Sequence, residues 1–185
     1  DVRQAPAGIP IGTGRKRAGR RLLTVGTDCA LGKKYTALAI AREMQRQGIN
    51  ATFRATGQTG ILIAGGGIPI DAVISDFVAG AAEILSPDAP TDHWDVIEGQ
   101  GSLFHPAYAA VTLGLIHGSQ PDAMILCHEP GRERINGYPD FPVPALTAAI
   151  RHFENCAQLT NPAARVVGVS LNTSRLSPEQ RTEAI

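Results

Sequence analysis

Two consecutive lysines, Lys33 and Lys34, close the turn in "VGTDCALGKKYTALA", which starts at Val25. A glycine-bounded turn between an apolar run and a helical pattern can cradle an anion. Its backbone N–H groups and the open N-terminus of the helix face the ligand, and a lysine adds a point charge. The candidate contacts are Gly26, Thr27, Asp28, Cys29, Ala30, Gly32, Lys33, Lys34 and Tyr35. Counted from Gly26, the turn is one residue longer than GxxxxGK[ST]. Such loops place next a Ser or Thr hydroxyl that ligates magnesium while a phosphoanhydride is cut, and this sequence has Lys34 there. An ammonium at that place would neutralise a phosphate that is held but not cleaved, such as the pyrophosphate or 3′-phosphate of coenzyme A. The favoured reading is therefore a CoA-type ligand with no metal. The alternative is ATP with magnesium held by Thr36 or Asp28.

Proton-transfer chemistry on a ligand beside that loop needs a base, an oxyanion donor and groups that hold the second substrate. Glu98, at the end of "HWDVIEGQG", is the first candidate base because crowding beside the loop could tune its pKa, although a structural role in orienting loop groups competes. His105, in "GSLFHP", is the second. Arg54 and Gln58 of "FRATGQTG", with Arg132 and Arg134 of "PGRERING", could clamp a dicarboxylate, since guanidinium pairs carboxylate bidentately. Gly99, Gln100 and Ser102, on the exit loop after Glu98, and His128 of "CHEPGR" are placed on the acceptor side. Cys29 could serve as a covalent nucleophile at the helix N-terminus, but a small side chain is all the loop needs there. Asp76 is expected on a helix face or at a subunit contact.

The elements that position these groups follow from periodicity. "RLLTVG" reads as a strand, and "KKYTALAIAREMQRQG" as a helix with Leu38, Ile40 and Met44 near one face and Gly48 as its stop. "NATFRAT" is a second strand, followed by the Gly-rich "TGQTGILIAGGGIP" and a helix expected from about Asp71 to Leu85. "HWDVIEGQG", "DAMILCHEP" and "ARVVGVSLNT" give three more strands, with helices in "HPAYAAVTLGLIHG" and "VPALTAAIRHFENCAQL". Alternating strands and helices imply crossover units. The expected fold is α/β, a parallel sheet sandwiched by helices in three layers, with ligands at the carboxyl ends of the strands.

At 185 residues the chain suits one domain. The expected division is a linker over residues 1–20, leading from an N-terminal domain, and the α/β domain over 21–185, with the final helix unfinished. Lys plus Arg and Asp plus Glu each number 17, so nothing in the overall charge marks a nucleic-acid binder. Cys29, Cys127 and Cys156 form no CxxC pair, which argues against a zinc site and a disulfide framework and for a reducing cytoplasm. No run of about 18 apolar residues suggests a membrane span.

"VGTDCALGKKYTALA" is similar to the "GTDTxxGKT" loop of dethiobiotin synthetase and its relatives, and "DVIEGQG" to their "VEGAGG" strand end. "VVGVSLNT" places Asn172 where that group carries an adenine-reading asparagine. Those likenesses imply a P-loop NTPase-like fold and an ATP- and magnesium-dependent ligase or kinase as one outcome. From about Ile9 onward the chain resembles more closely the C-terminal domain of a bacterial and archaeal domain-of-unknown-function family. The resemblance is carried by "FRATGQTGILIAGGGIPIDAVISDFVAGAAE", "VIEGQGSLFHPAYAAVTLGLIHGSQPDA" and "GVSLNTSRL". That family includes a D-glutamate N-acetyltransferase. The resemblance implies a Rossmann-like N-terminal domain in the same full-length chain and acetyl transfer from acetyl-CoA to the amine of an acidic D-amino acid. A homo-oligomer is the expected assembly, and a non-catalytic nucleotide-binding domain is a third reading.

Overall fold

The computed structural model describes residues 2–183. Five parallel strands form one sheet in the order β2-β3-β1-β4-β7, with β1 at Arg20–Gly26, β2 at Ala51–Arg54, β3 at Trp94–Ile97, β4 at Ala123–His128 and β7 at Arg165–Leu171. Their alternation follows the pleat, which sends successive side chains to opposite faces. Leu23, Val25, Ile97, Met124 and Leu126 join one core, whereas Leu22, Val96 and Ala123 join the other. The first core is covered by α3 (Val78–Leu85), α4 (Ala109–Ser119) and α5 (Leu146–Gln158). The second is covered by α1 (Lys33–Arg46), whose Ala37 and Ala41 are fully buried with Ile40 and Met44 beside them. The helix layers are unequal, and β7 at the edge leaves Val167 and Val169 exposed.

From central β1 the chain crosses to the edge strand β2, returns to β3, and then passes to β4 and β7 on the other side. The neighbours of β1 are therefore reached in opposite directions, which opens a crevice at its carboxyl end, where open α/β sheets bind ligands.

Three local expectations differ from the structure. The Gly-rich segment contains a helix, α2 (Gln58–Ala64), stopped by Gly65 at φ 76 with its N–H on the Ile61 carbonyl. The helix expected from Asp71 begins only at Val78, because Val73 and Ile74 hold extended backbone with ψ of 135° and 136° and split the preceding stretch into two 3₁₀ turns. "PGRERING" runs into a small antiparallel hairpin, β5 (Arg134–Ile135) and β6 (Tyr138–Pro142). A short α6 (Pro178–Glu183) follows β7.

The lead-in read as a linker is held down over its second half. Thr13 and Gly14 N–H donate to Glu83, and buried Arg17 donates to the Ser86 and Gly118 carbonyls at 2.8 and 2.7 Å. The three cysteines are free thiols, and among the described residues no helix is long and apolar enough to cross a membrane.

Candidate functional site

The turn after β1 is fixed from below and from the side. Ser102 Oγ donates to the Gly26 carbonyl at 2.8 Å, Thr27 N–H to Cys127 O, and Thr27 Oγ1 lies 3.0 Å from His128 Nδ1. Asp28 is fully buried. Its Oδ1 accepts from Cys29 N–H, and its Oδ2 accepts from Arg132 Nη1 at 2.9 Å and Asn136 N–H at 2.8 Å. Arg132 also donates to Cys29 O and pairs with Glu129, which in turn reaches Arg175 at 3.4 Å. The β5–β6 hairpin thus braces the loop from outside.

Gly32 stands before α1 with φ 100, a conformation that favours glycine. No side chain caps the helix there, so its first N–H groups face a cavity of about 540 Å³. Lys33 is buried, with Nζ on the Asp28 carbonyl at 2.9 Å, and burial pushes its pKa down. Lys34 lines the same cavity, its Nζ 4.4 Å from the centre of the exposed Tyr35 ring.

Glu98 faces the loop from the end of β3. Its Oε2 accepts N–H bonds from Thr56 at 3.0 Å and Gly57 at 3.1 Å. Its Oε1 has no hydrogen-bond partner among the described residues, and the residue lines the cavity. Burial raises its pKa, opposed by those two N–H bonds and by Lys34 and Lys33. A half-held carboxylate with a raised pKa can accept a proton in a way a solvated one cannot. Gly99 N–H is held by Thr24 Oγ1, and Gln100 Nε2 donates to Thr56 Oγ1 at 3.1 Å. Gly99 and Gln100 line the cavity, whereas Ser102 serves beneath it as a pin.

His105 is buried outside the cavity lining, stacked on Tyr108 at 4.4 Å and edge-on to Tyr138, with Nδ1 accepting the Ala107 N–H. One atom each of Asp28, Cys29 and His105 lie within 4.8 Å of one another. Asp28 is already bonded to Arg132 and Asn136 and has Lys33 alongside, so the surroundings favour an anion over a cation. Burial raises the Cys29 thiol pKa, against Lys33 and Arg132.

Several candidates fall elsewhere. Arg54 turns back along the strands and donates to Asp95 Oδ1 at 2.6 Å, away from the cavity. Gln58 bonds Asp71, and it is Asp71 that reaches the lining. Arg132 is engaged with Asp28 and Glu129, and Arg134 lies on the hairpin. Asn172 donates its N–H to His128 O and turns its Oδ1 onto Ser174 N–H, beyond the loop cavity. His128 is half-buried behind Thr27, its pKa lowered first by burial and then by Arg132. Asp76 is exposed in a 3₁₀ turn. Thr36 faces Ser170 at 2.9 Å. The sequence reading missed Glu129, Tyr108 and Val111; the last two stand at the start of α4, where a helix opening toward the strand ends was the available signal.

A parallel sheet with a lysine-bearing anion loop at its switch point defines a P-loop α/β domain. Residues 10–185 match the family described as a domain of unknown function, the DUF1611 C-terminal P-loop domain, and the chain belongs to that family. A relative from Tritonibacter scottomollicae named D-glutamate N-acetyltransferase is 56% identical over 97% of this chain, and one of the same name from a Pseudoalteromonas species is 54% identical over 99%. The chain spans about half the length of these curated relatives, 54% and 55%. A crystal structure of a DUF1611 family protein from Anabaena variabilis superposes with a TM-score of 0.93 at 41% identity, over all of this chain and 55% of that one. A nucleotide-binding protein from Archaeoglobus fulgidus, solved with ADP, shares the fold at a TM-score of 0.53 and 12% identity, over 82% of this chain and 65% of its own.

Proposed function

We propose that this domain holds the phosphates of acetyl-CoA on the Gly26–Lys34 loop and serves acetyl transfer to the amine of an acidic D-amino acid, D-glutamate first among them. The observation that carries this reading is the head of α1. Lys34 stands where a magnesium-binding hydroxyl would be, Thr36 is turned to Ser170, and the Asp28 carboxylate is taken up by Arg132 and Asn136. The loop offers cations and N–H donors to a phosphate that need not be cut. The names of the two relatives support the same chemistry.

A thioester already carries an activated acyl group, so the phosphates act only as handles. The acceptor ammonium must lose a proton before its nitrogen attacks the thioester carbon. Glu98, with one oxygen held and the other open to the cavity, is the residue assigned to take that proton. The N–C bond forms first to give a tetrahedral oxyanion, whose collapse breaks the C–S bond, and the second proton released by the nitrogen goes to the departing thiolate of coenzyme A. Backbone N–H groups suit the passing oxyanion.

The test is calorimetric titration of the full-length protein with CoA and with ATP, each with and without magnesium, followed by an assay for acetyl-CoA-dependent acetylation of D-glutamate. CoA binding independent of magnesium, together with turnover, is the expected result. Binding of ATP alone, and only with magnesium, would overturn it in favour of a ligase or kinase. Ligand binding with no turnover would leave a nucleotide-sensing domain.

A further inference from the structure

Beside the loop cavity lies a second, smaller cleft of about 300 Å³, walled by Arg132, Arg134 and Arg175 together with Asn136 and Tyr138, with no carboxylate in its lining. It opens between the carboxyl ends of β4 and β7, so it continues the crevice in which the loop sits. The two are joined structurally, because Asn136 N–H and Arg132 both grip Asp28 of the loop. Arg132 is committed to Asp28 and Glu129, whereas the exposed guanidinium of Arg134 has no hydrogen-bond or ion-pair partner among the described residues. Arg175 is 78% exposed and reaches Glu129 with one nitrogen at 3.4 Å. Two guanidinium groups with donors to spare thus face a cleft one wall away from the phosphate loop.

We infer that Arg134 and Arg175 form a second phosphate subsite, which takes the ribose 3′-phosphate of coenzyme A while the loop holds the diphosphate. This rests on the coenzyme A reading above and specifies how that ligand differs from a plain adenine nucleotide. A terminal phosphate presents a dianion with several acceptor oxygens, the partner that paired guanidinium forks match best. An ADP moiety places its diphosphate and ribose on neighbouring parts of one crevice, in keeping with a loop site and an arginine site that share the Asp28 brace. A dicarboxylate acceptor has similar chemistry and is distinguished by the test.

The experiment compares CoA and dephospho-CoA by calorimetry on the full-length protein and on its Arg134→Ala/Arg175→Ala variant. The wild-type protein should bind CoA at least about tenfold more tightly than dephospho-CoA. In the variant that gap should close, while dephospho-CoA affinity stays unchanged and certifies the fold. Equal affinity for the two ligands in the wild-type protein overturns the subsite but leaves the coenzyme A reading standing, and so does a variant that weakens both equally. Failure of CoA to bind the wild-type protein removes the coenzyme A reading itself. A D-glutamate titration completes the set: loss of its binding in the variant with the CoA gap intact would assign the arginines to the acceptor and overturn the proposal.

Discussion

The two ends of the sheet bury charge in opposite ways. At the amino end, Arg21 is 1% exposed and donates to the Arg17, Ala18 and Pro87 carbonyls at 3.0–3.1 Å, while Arg17 bonds the Ser86 and Gly118 carbonyls. Burial lowers the Arg17 pKa to about 10, with neighbouring Arg21 adding to the effect. The one buried side-chain atom without a partner among the described residues, Gln120 Oε1, is a neutral amide at this end. At the carboxyl end, Lys33 spends one bond on Asp28 O, Glu98 leaves Oε1 open and α1 has no side-chain cap. Charge that is fully bonded serves stability. Charge that is half bonded beside a cavity is what the proposed ligand site rests on.

Exchanging the two kinds of change is the strongest way to break this contrast. Glu98→Gln keeps the shape and the two N–H bonds but removes the base, so kcat should fall by about 10²- to 10⁴-fold with CoA affinity within about twofold. Loss of CoA affinity instead would make Glu98 a brace of the loop. The pH dependence has a defined sign. Because the folded carboxyl titrates above its unfolded value, the native state binds the extra proton in that window, and stability falls as pH rises through it. The wild-type protein should lose that increment between its ordinary carboxyl range and the raised pKa, the Glu98→Gln protein should not, and urea midpoints across pH 4–8 would show it.

At the other end, Arg21→Ala strands several buried carbonyls and should cost about 3 kcal/mol or more in urea unfolding, with CoA affinity of the folded fraction intact. Lys33→Ala should do the reverse. It removes a desolvated cation, leaving stability within about 1 kcal/mol while CoA affinity drops by about tenfold or more. Equal stability losses in both variants would erase the distinction. Lys34→Ser should act more gently, weakening CoA by several-fold, since its ammonium lies at the rim over Tyr35. Nucleotide binding that gained a magnesium dependence in this variant would identify Lys34 as the substitute for the metal.

The carboxyl end was the more legible of the two because its chemistry is local. Gly26 to Lys34 lies in one stretch between a strand and a helix, and Glu98 sits at a strand end, so their positions follow from short patterns. What escaped depends on pairings between distant segments. Arg132 grips Asp28 across 104 positions and Arg21 finds Pro87 across 66. Nothing in "PGRERING" tells a solvated guanidinium from one bonded to a buried aspartate. Arg54 misled for the same reason, because its partner Asp95 lies on the adjacent strand. The α2 helix was hidden by glycines, which lower helix propensity wherever they occur but here leave room for another side chain.

Gly60 tests that last point and is the finest probe of the carboxyl end. A Cβ added there would stand 2.2 Å from Glu98 Oε2 and 3.3 Å from Ala55 Cβ. Alanine in place of glycine inside a helix ordinarily stabilises by about 0.5–1 kcal/mol, and that gain opposes the cost of moving a carboxylate held by two N–H bonds. Stability of Gly60→Ala should therefore stay within about 1 kcal/mol of the wild-type protein. Activity should nonetheless fall by about tenfold, because the carboxylate must leave the Thr56 and Gly57 N–H groups that hold it. A thermal scan and a kcat measurement on the same preparation separate the two effects. If both stay at the wild-type level, the position of Oε2 is not what makes Glu98 effective. If stability falls with activity, the N–H bonds to Glu98 belong with the fully bonded charges of the amino end.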